Sequence, residues 1–243
     1  MRSALWALTN RALALWSRKR WRRYAREARR PLHALLLVLP LAIIYEFFDG
    51  PATSVEGKHG LVAYGLVADL LAWVGLASAW VPPASLAATL ILWQRWSGQR
   101  WRVRWWVLPT MVLESALLAV PLWVLSALFA APPPARLVDA FGAGIYEEFV
   151  FRLILISFVT WLLVELARLR RDVALWVSVG LATIVFALCH FSPLGAAAWS
   201  WQRLVFTLAA GVYLALIFLG RGFGIAVGAH VTYNMLLVCL SVR

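Results

Sequence analysis

Three ionisable residues sit inside one long apolar helix pattern, in the stretch Tyr146-Glu147-Glu148-Phe149-Val150-Phe151-Arg152, and the pattern runs on to Leu166. A charge at the centre of a bilayer costs about 2.5 to 3.5 kcal/mol even on insertion scales, so intramembrane charges mark function by default. Residues four apart share a helix face, while neighbours are rotated by about 100°. Glu148 and Arg152 are therefore expected to pair within the helix and to be largely structural. Glu147 lies on the adjoining face, above Phe151, and is the expected free carboxylate.

Two of the four histidines add to this. His33 starts the first apolar run and His59 falls in a polar loop, but His190 and His230 lie inside the last apolar runs. Phe186 stands four residues before His190 and packs beneath it, and Asn234 stands four after His230 on the same face. If Glu147, His190, His230 and Asn234 converge from three helices, they bring a carboxylate, two imidazoles and a carboxamide into one low-dielectric cavity. Those are the parts of a hydrolytic site: a base for water, a partner to orient it, and donors for an oxyanion. Glu147, His190 and His230 are also a possible zinc set with water as fourth ligand. No HExxH helix is present and a carboxamide is a poor zinc ligand, so a metal-free site without a cofactor is the preferred expectation. Cys189 and Cys239 fall in apolar runs and read as ordinary core residues.

The three motifs, Glu147-Glu148-x-x-x-Arg152, Phe186-x-x-x-His190 and His230-x-x-x-Asn234, stand in this order on separate apolar helices. In this they resemble the CAAX protease and bacteriocin-processing family, the CPBP or Abi intramembrane proteases. The resemblance spans Gly142 to Asn234. It implies that Glu147 and His190 activate a water for attack on a scissile carbonyl, that His230 and Asn234 stabilise the oxyanion, and that Glu148 and Arg152 support the site. It implies an endopeptidase acting on a membrane-tethered or membrane-inserted protein or peptide, and ligand chemistry prefers the glutamic to the zinc type.

The elements that must position these groups are membrane helices. The 243 residues are 63% hydrophobic with a mean hydropathy of +0.79 and contain several runs long enough to cross about 30 Å of hydrocarbon. An all-α polytopic bundle of seven to eight spans is expected, because a barrel would alternate polar and apolar residues. Residues 1–30 form a basic arm with ten Lys/Arg and interleaved tryptophans, read as an amphipathic helix on the membrane surface in contact with anionic lipid. Residues 31–136 supply the first spans and 137–243 the catalytic core, together one integrated membrane domain. The expected spans are Pro31–Phe48, Val81–Trp96, Trp105–Phe129, Leu137–Leu169, Val173–His190, Arg203–Leu219 and Ile225–Val242. Leu61–Leu76 is expected as an interfacial helix, and Pro109 and Pro121 as kinks.

This threading puts 18 of the 23 Lys/Arg on the side of the N-terminus, which makes that side cytoplasmic and the likeness that of a multi-pass protein of a bacterial inner membrane. The net charge of +12 resides in the arm and short loops, so it reads as topology and lipid contact, and no nucleic-acid partner is expected. One tension stands out: His190 closes an outward span and His230 opens one from the other side, an offset of about 10 Å in depth. The alternative from another class is a non-catalytic immunity factor, scaffold or transporter that uses the same polar cluster to hold helices together.

Overall fold

A computed structural model describes residues 19–49, 61–78, 80–129, 137–191 and 198–240. Helix α1 covers 19–28, followed by α2 (Pro31–Asp49), α3 (Val62–Trp73), α4 (Val81–Trp96) and α5 (Val107–Leu128). A continuous rod follows: α6 (Leu137–Glu147), a π-helical segment (Glu148–Ile156) and α7 (Ser157–Glu165). The chain closes with α8 (Arg171–Leu188), α9 (Trp201–Arg221) and α10 (Phe223–Leu240). Among the described residues the regular elements are all helical, as expected. Five of those helices, α2, α5, α8, α9 and α10, are long and apolar enough to cross a membrane. The rod divides at its π segment, and α4, at 16 residues, falls short of the length that criterion requires.

Sequence chemistry sets the ends. Pro31 begins α2 and Pro82 lies in the first turn of α4, where a missing N–H costs nothing. Gly222 stops α9 at φ +99°, and its N–H returns to the Ile217 and Phe218 carbonyls, a left-handed closure that a side chain would strain. Pro121 lies inside α5, which continues without interruption.

Helix α10 is the axis. Of its span 67% is buried, against 28–44% for the other four candidate spans, so it faces protein on nearly all sides. One apolar core joins α2, α3, α4 and the rod to one flank of α10, through Tyr45, Tyr64, Leu90, Phe149 and Val227. A second joins α1, α5 and α9 to the other, through Tyr24, Met111, Phe206 and Ile225. The outward faces of α5 and α8 expose Leu113, Leu117, Trp176 and Ile184, the surface a hydrocarbon solvent accepts.

Two glycines let the rod approach its neighbours. A Cβ at Gly142 would collide with the Tyr45 ring and Leu61, and one at Gly144 would stand 2.8 Å from the Val231 backbone nitrogen. They serve close packing of α6 on α2 and α10.

The basic arm is fastened to the bundle where it is described. Lys19, Arg20, Arg22, Arg23 and Arg26 are exposed on one side of α1, while Tyr24, Glu27 and Ala28 are buried on the other. Glu27 pairs with Arg30 at 3.0 Å and with Arg104 at 3.1 Å. The Tyr24 hydroxyl donates to Glu114, which also takes the Arg221 guanidinium. Burial, and after it the Glu114 carboxylate, push the Tyr24 phenol well above its ordinary range, so it stays a donor. The remainder of the arm, residues 1–18, lies outside the described residues.

The Leu32 N–H donates to Gln94, so α2 starts and α4 ends at the same end of the bundle.

Candidate active site

The rod, the end of α8 and α10 bring Glu147, His190 and His230 together. Glu147 Oε2 lies 4.0 Å from His190 Nε2 and 3.8 Å from His230 Nε2, so one carboxylate oxygen faces both imidazoles. The expected offset in depth does not separate them. Helix α8 stops at Leu188, the chain tightens so that the His190 N–H returns to the Ala187 carbonyl, and His190 is carried inward. His230 stands seven residues into α10, about 10 Å along its axis at 1.5 Å per residue.

Each imidazole is held by its other nitrogen. His190 Nδ1 is 2.8 Å from the Phe186 carbonyl oxygen, which can only accept, so Nδ1 carries the proton and Nε2 presents a lone pair to Glu147 in the neutral ring. His230 Nδ1 is 2.9 Å from Glu148 Oε1 and donates to it. Glu148 Oε1 also lies 3.2 Å from Arg152 Nη1, and both side chains are shut off from solvent.

The spacing argument placed Glu148 with Arg152 and made Glu147 the free carboxylate. The pair is present, but Glu148 has a second task, because it orients His230. Two adjacent carboxylates thus reach the two nitrogens of one ring, which ordinary α geometry does not favour, since neighbours diverge by about 100°. The π segment starting at Glu148 alters that local register, and such widened turns recur at functional sites.

Phe186 is the hub. The Arg152 guanidinium lies 4.1 Å over its ring, and the ring stands edge-on to His190 at 4.7 Å and to His230 at 6.5 Å. A cation over an aromatic face is attracted by the ring quadrupole, which supplies part of what burial takes from Arg152. Asn234 is buried one turn beyond His230 on α10. Access is unequal: the His190 side chain is 32% exposed and Glu147 13%, whereas His230 is 7% exposed and Glu148 not at all. Reagents therefore meet His190 and Glu147 first.

Among the described residues no group of three or more His, Cys, Asp or Glu side chains is arranged to hold a metal ion.

Two further buried or part-buried carboxylates are partnered. Glu114 is committed to Tyr24 and Arg221. Glu46 is buried and accepts a hydrogen bond from Tyr146, the residue before Glu147. The signal for it was available in the sequence, because a carboxylate at the end of an apolar run is costly unless it is partnered.

The segment that carries the rod, α8, α9 and most of α10 is the one that known proteins share. Residues 129–236 match the family model described as Type II CAAX prenyl endopeptidase Rce1-like. No curated protein and no solved structure matches the chain. The motif order and the converging side chains agree with this match, and residues 129–236 are thus similar to the Rce1-like type II CAAX prenyl endopeptidases.

Proposed function

We propose that the protein is an intramembrane endopeptidase in which Glu147 and His190 activate water. The single observation behind this is the convergence of both imidazole Nε2 atoms on one Glu147 oxygen, at 4.0 and 3.8 Å, with both Nδ1 atoms already engaged. Separations near 4 Å are too long for direct hydrogen bonds and suit a shared water.

The cycle then runs on the chain's own groups. Glu147 takes a proton from the water while the His190 Nε2 lone pair orients it, and the oxygen attacks the scissile carbonyl carbon. The carbonyl oxygen gains the electron pair and is met by donors from His230 Nε2 and the Asn234 amide. For Nε2 to donate, the His230 ring carries its second proton, and the Glu148 carboxylate on Nδ1 supplies the compensating charge. The tetrahedral intermediate collapses, the C–N bond breaks, and Glu147 returns its proton to the leaving amine. Glu148 and Arg152 hold His230 in register and do not meet the substrate.

A non-catalytic scaffold would saturate these contacts and close them from solvent. The partial exposure of His190 and Glu147 favours catalysis instead. The substrate is a membrane-tethered or membrane-inserted protein or peptide, and a prenylated CAAX sequence is the first to try. The N-terminus is placed on the cytoplasmic side of a bacterial inner membrane, with the exposed Lys19, Arg20, Arg22, Arg23 and Arg26 against anionic head groups.

The test uses purified protein in liposomes and an internally quenched farnesylated peptide, with and without thorough chelation. Cleavage that survives chelation and is lost in Glu147→Gln supports the glutamate mechanism. Inactivation by chelation with rescue by added zinc would replace it with a metal mechanism. A scaffold would cleave nothing, and a comparison of membrane proteomes with wild-type and Glu147→Gln protein would then show no accumulated precursor.

A further inference from the structure

We propose that Glu46 and Tyr146 form a positioning pair that sets Glu147 for water activation, so that the reaction depends on α2, a helix outside the segment shared with the family model. The inference rests on the hydrolytic reading above.

Tyr146 directly precedes Glu147 and is fully buried. Its hydroxyl donates to Glu46 Oε1 at 2.9 Å, crossing from α6 to α2 over 100 positions of sequence. Its ring cannot swing away, because it stands edge-on to Tyr64 at 4.8 Å and to Tyr45 at 5.9 Å, and those two lie 6.1 Å from each other. One turn earlier, α6 is drawn onto α2 through Gly142, and Gly144 is pressed onto Val231 of α10. The last α-helical turn is thus fixed from both sides at the junction where the helix widens into its π segment.

That junction is where a rod can lose its register. Glu147 has to meet two histidines held on other helices, and a misplacement of about 1 Å in a catalytic group can cost on the order of 100-fold in rate. A hydrogen bond from a phenol to a carboxylate is charge-assisted and stronger than one between neutral groups. Merely joining two spans does not require it, since apolar packing joins spans without a buried carboxylate. Placed one residue from the general base, the bond gives that carboxylate a role in the reaction.

The experiment measures kcat and KM on the quenched farnesylated peptide for Tyr146→Phe, Glu46→Gln, Glu46→Ala and the Tyr146→Phe/Glu46→Gln pair. In parallel, proteins labelled at the histidine 13Cε1 position report the His190 and His230 signals across pH without any substrate. Tyr146→Phe keeps the ring packing and is expected to lower kcat by about 10- to 100-fold with KM within about threefold. Glu46→Gln keeps an acceptor and should lie closer to wild type than Glu46→Ala. The pair should lose less than the product of the two single losses, because the bond they share is lost only once. The His190 and His230 signals should shift in the variants that lose kcat.

A purely structural tie would give lower melting temperatures with kcat per folded molecule unchanged and both histidine signals in place, and that result overturns the proposal. If wild type cleaves no probe, the hydrolytic reading fails first, and unchanged histidine signals in Tyr146→Phe would then remove the positioning pair as well.

Discussion

Replacing Arg152 by methionine isolates the energetics of the buried charge pair. Arg152 and Glu148 are 2% and 0% exposed, and their ion pair spans 3.2 Å with almost no water to share the charge. Removing one member of such a pair costs about 3–5 kcal/mol, because the other is left buried and uncompensated. The lost contact over the Phe186 ring, 4.1 Å from the guanidinium carbon, adds about 1–2 kcal/mol. Against a typical stability of about 5–15 kcal/mol, Arg152→Met should remove about a quarter or more. Glu148→Gln in the same chain neutralises the stranded carboxylate, and its amide oxygen still accepts from His230 Nδ1. The double variant should therefore regain about 2 kcal/mol or more relative to the sum of the singles. Unfolding in mild detergent by added denaturing detergent, followed by the fluorescence of the 15 tryptophans, measures all four corners of the cycle. Strictly additive costs, or an Arg152→Met penalty below about 1 kcal/mol, would refute the reasoning about the buried pair.

Further outcomes follow from the same geometry. Gly144→Ala should cost about 1–3 kcal/mol by overpacking, since its Cβ meets the Val231 backbone, which has no rotamer to yield. Gly65→Ala has nothing within 4 Å and should raise the melting temperature, as the better helix former by about 1 kcal/mol. Glu114→Gln should loosen α1 from α5 and α9, read as faster tryptic cleavage among the arginines of 20–30 with the bundle's own melting little changed. His190→Ala should abolish hydrolysis while leaving stability near wild type, since that ring is part-exposed and makes one backbone hydrogen bond.

Much of the site could be read before any coordinates, for a physical reason. Glu147, Glu148, Arg152, His190 and His230 are polar groups in apolar runs, so each announces itself, and the four-residue spacings reveal shared helix faces. The Glu148–Arg152 pair follows from that rule directly. What the spacings could not convey is how separate helices meet. The hydrogen bond from His230 to Glu148 joins residues 82 positions apart, and that from Tyr146 to Glu46 joins residues 100 apart. No local pattern in Glu148–Ile156 distinguishes a π turn from an α turn, and the segment packs against α8 and α10, which lie far along the sequence. Gly142 and Gly144 carry no local sign that they are points of close helix approach. The arm's charge was plain, but its attachment depended on Glu114 finding Arg221, 107 residues away.

The most direct measurement is hydrolysis of the farnesylated peptide in 18O-water by purified wild-type and Glu147→Gln protein of equal melting temperature. Water activation at Glu147 requires one 18O in the new carboxylate with wild type, and a fall of about 1,000-fold or more with Glu147→Gln, the scale of losing a general base. A folded Glu147→Gln protein that cleaves within tenfold of wild type would contradict it.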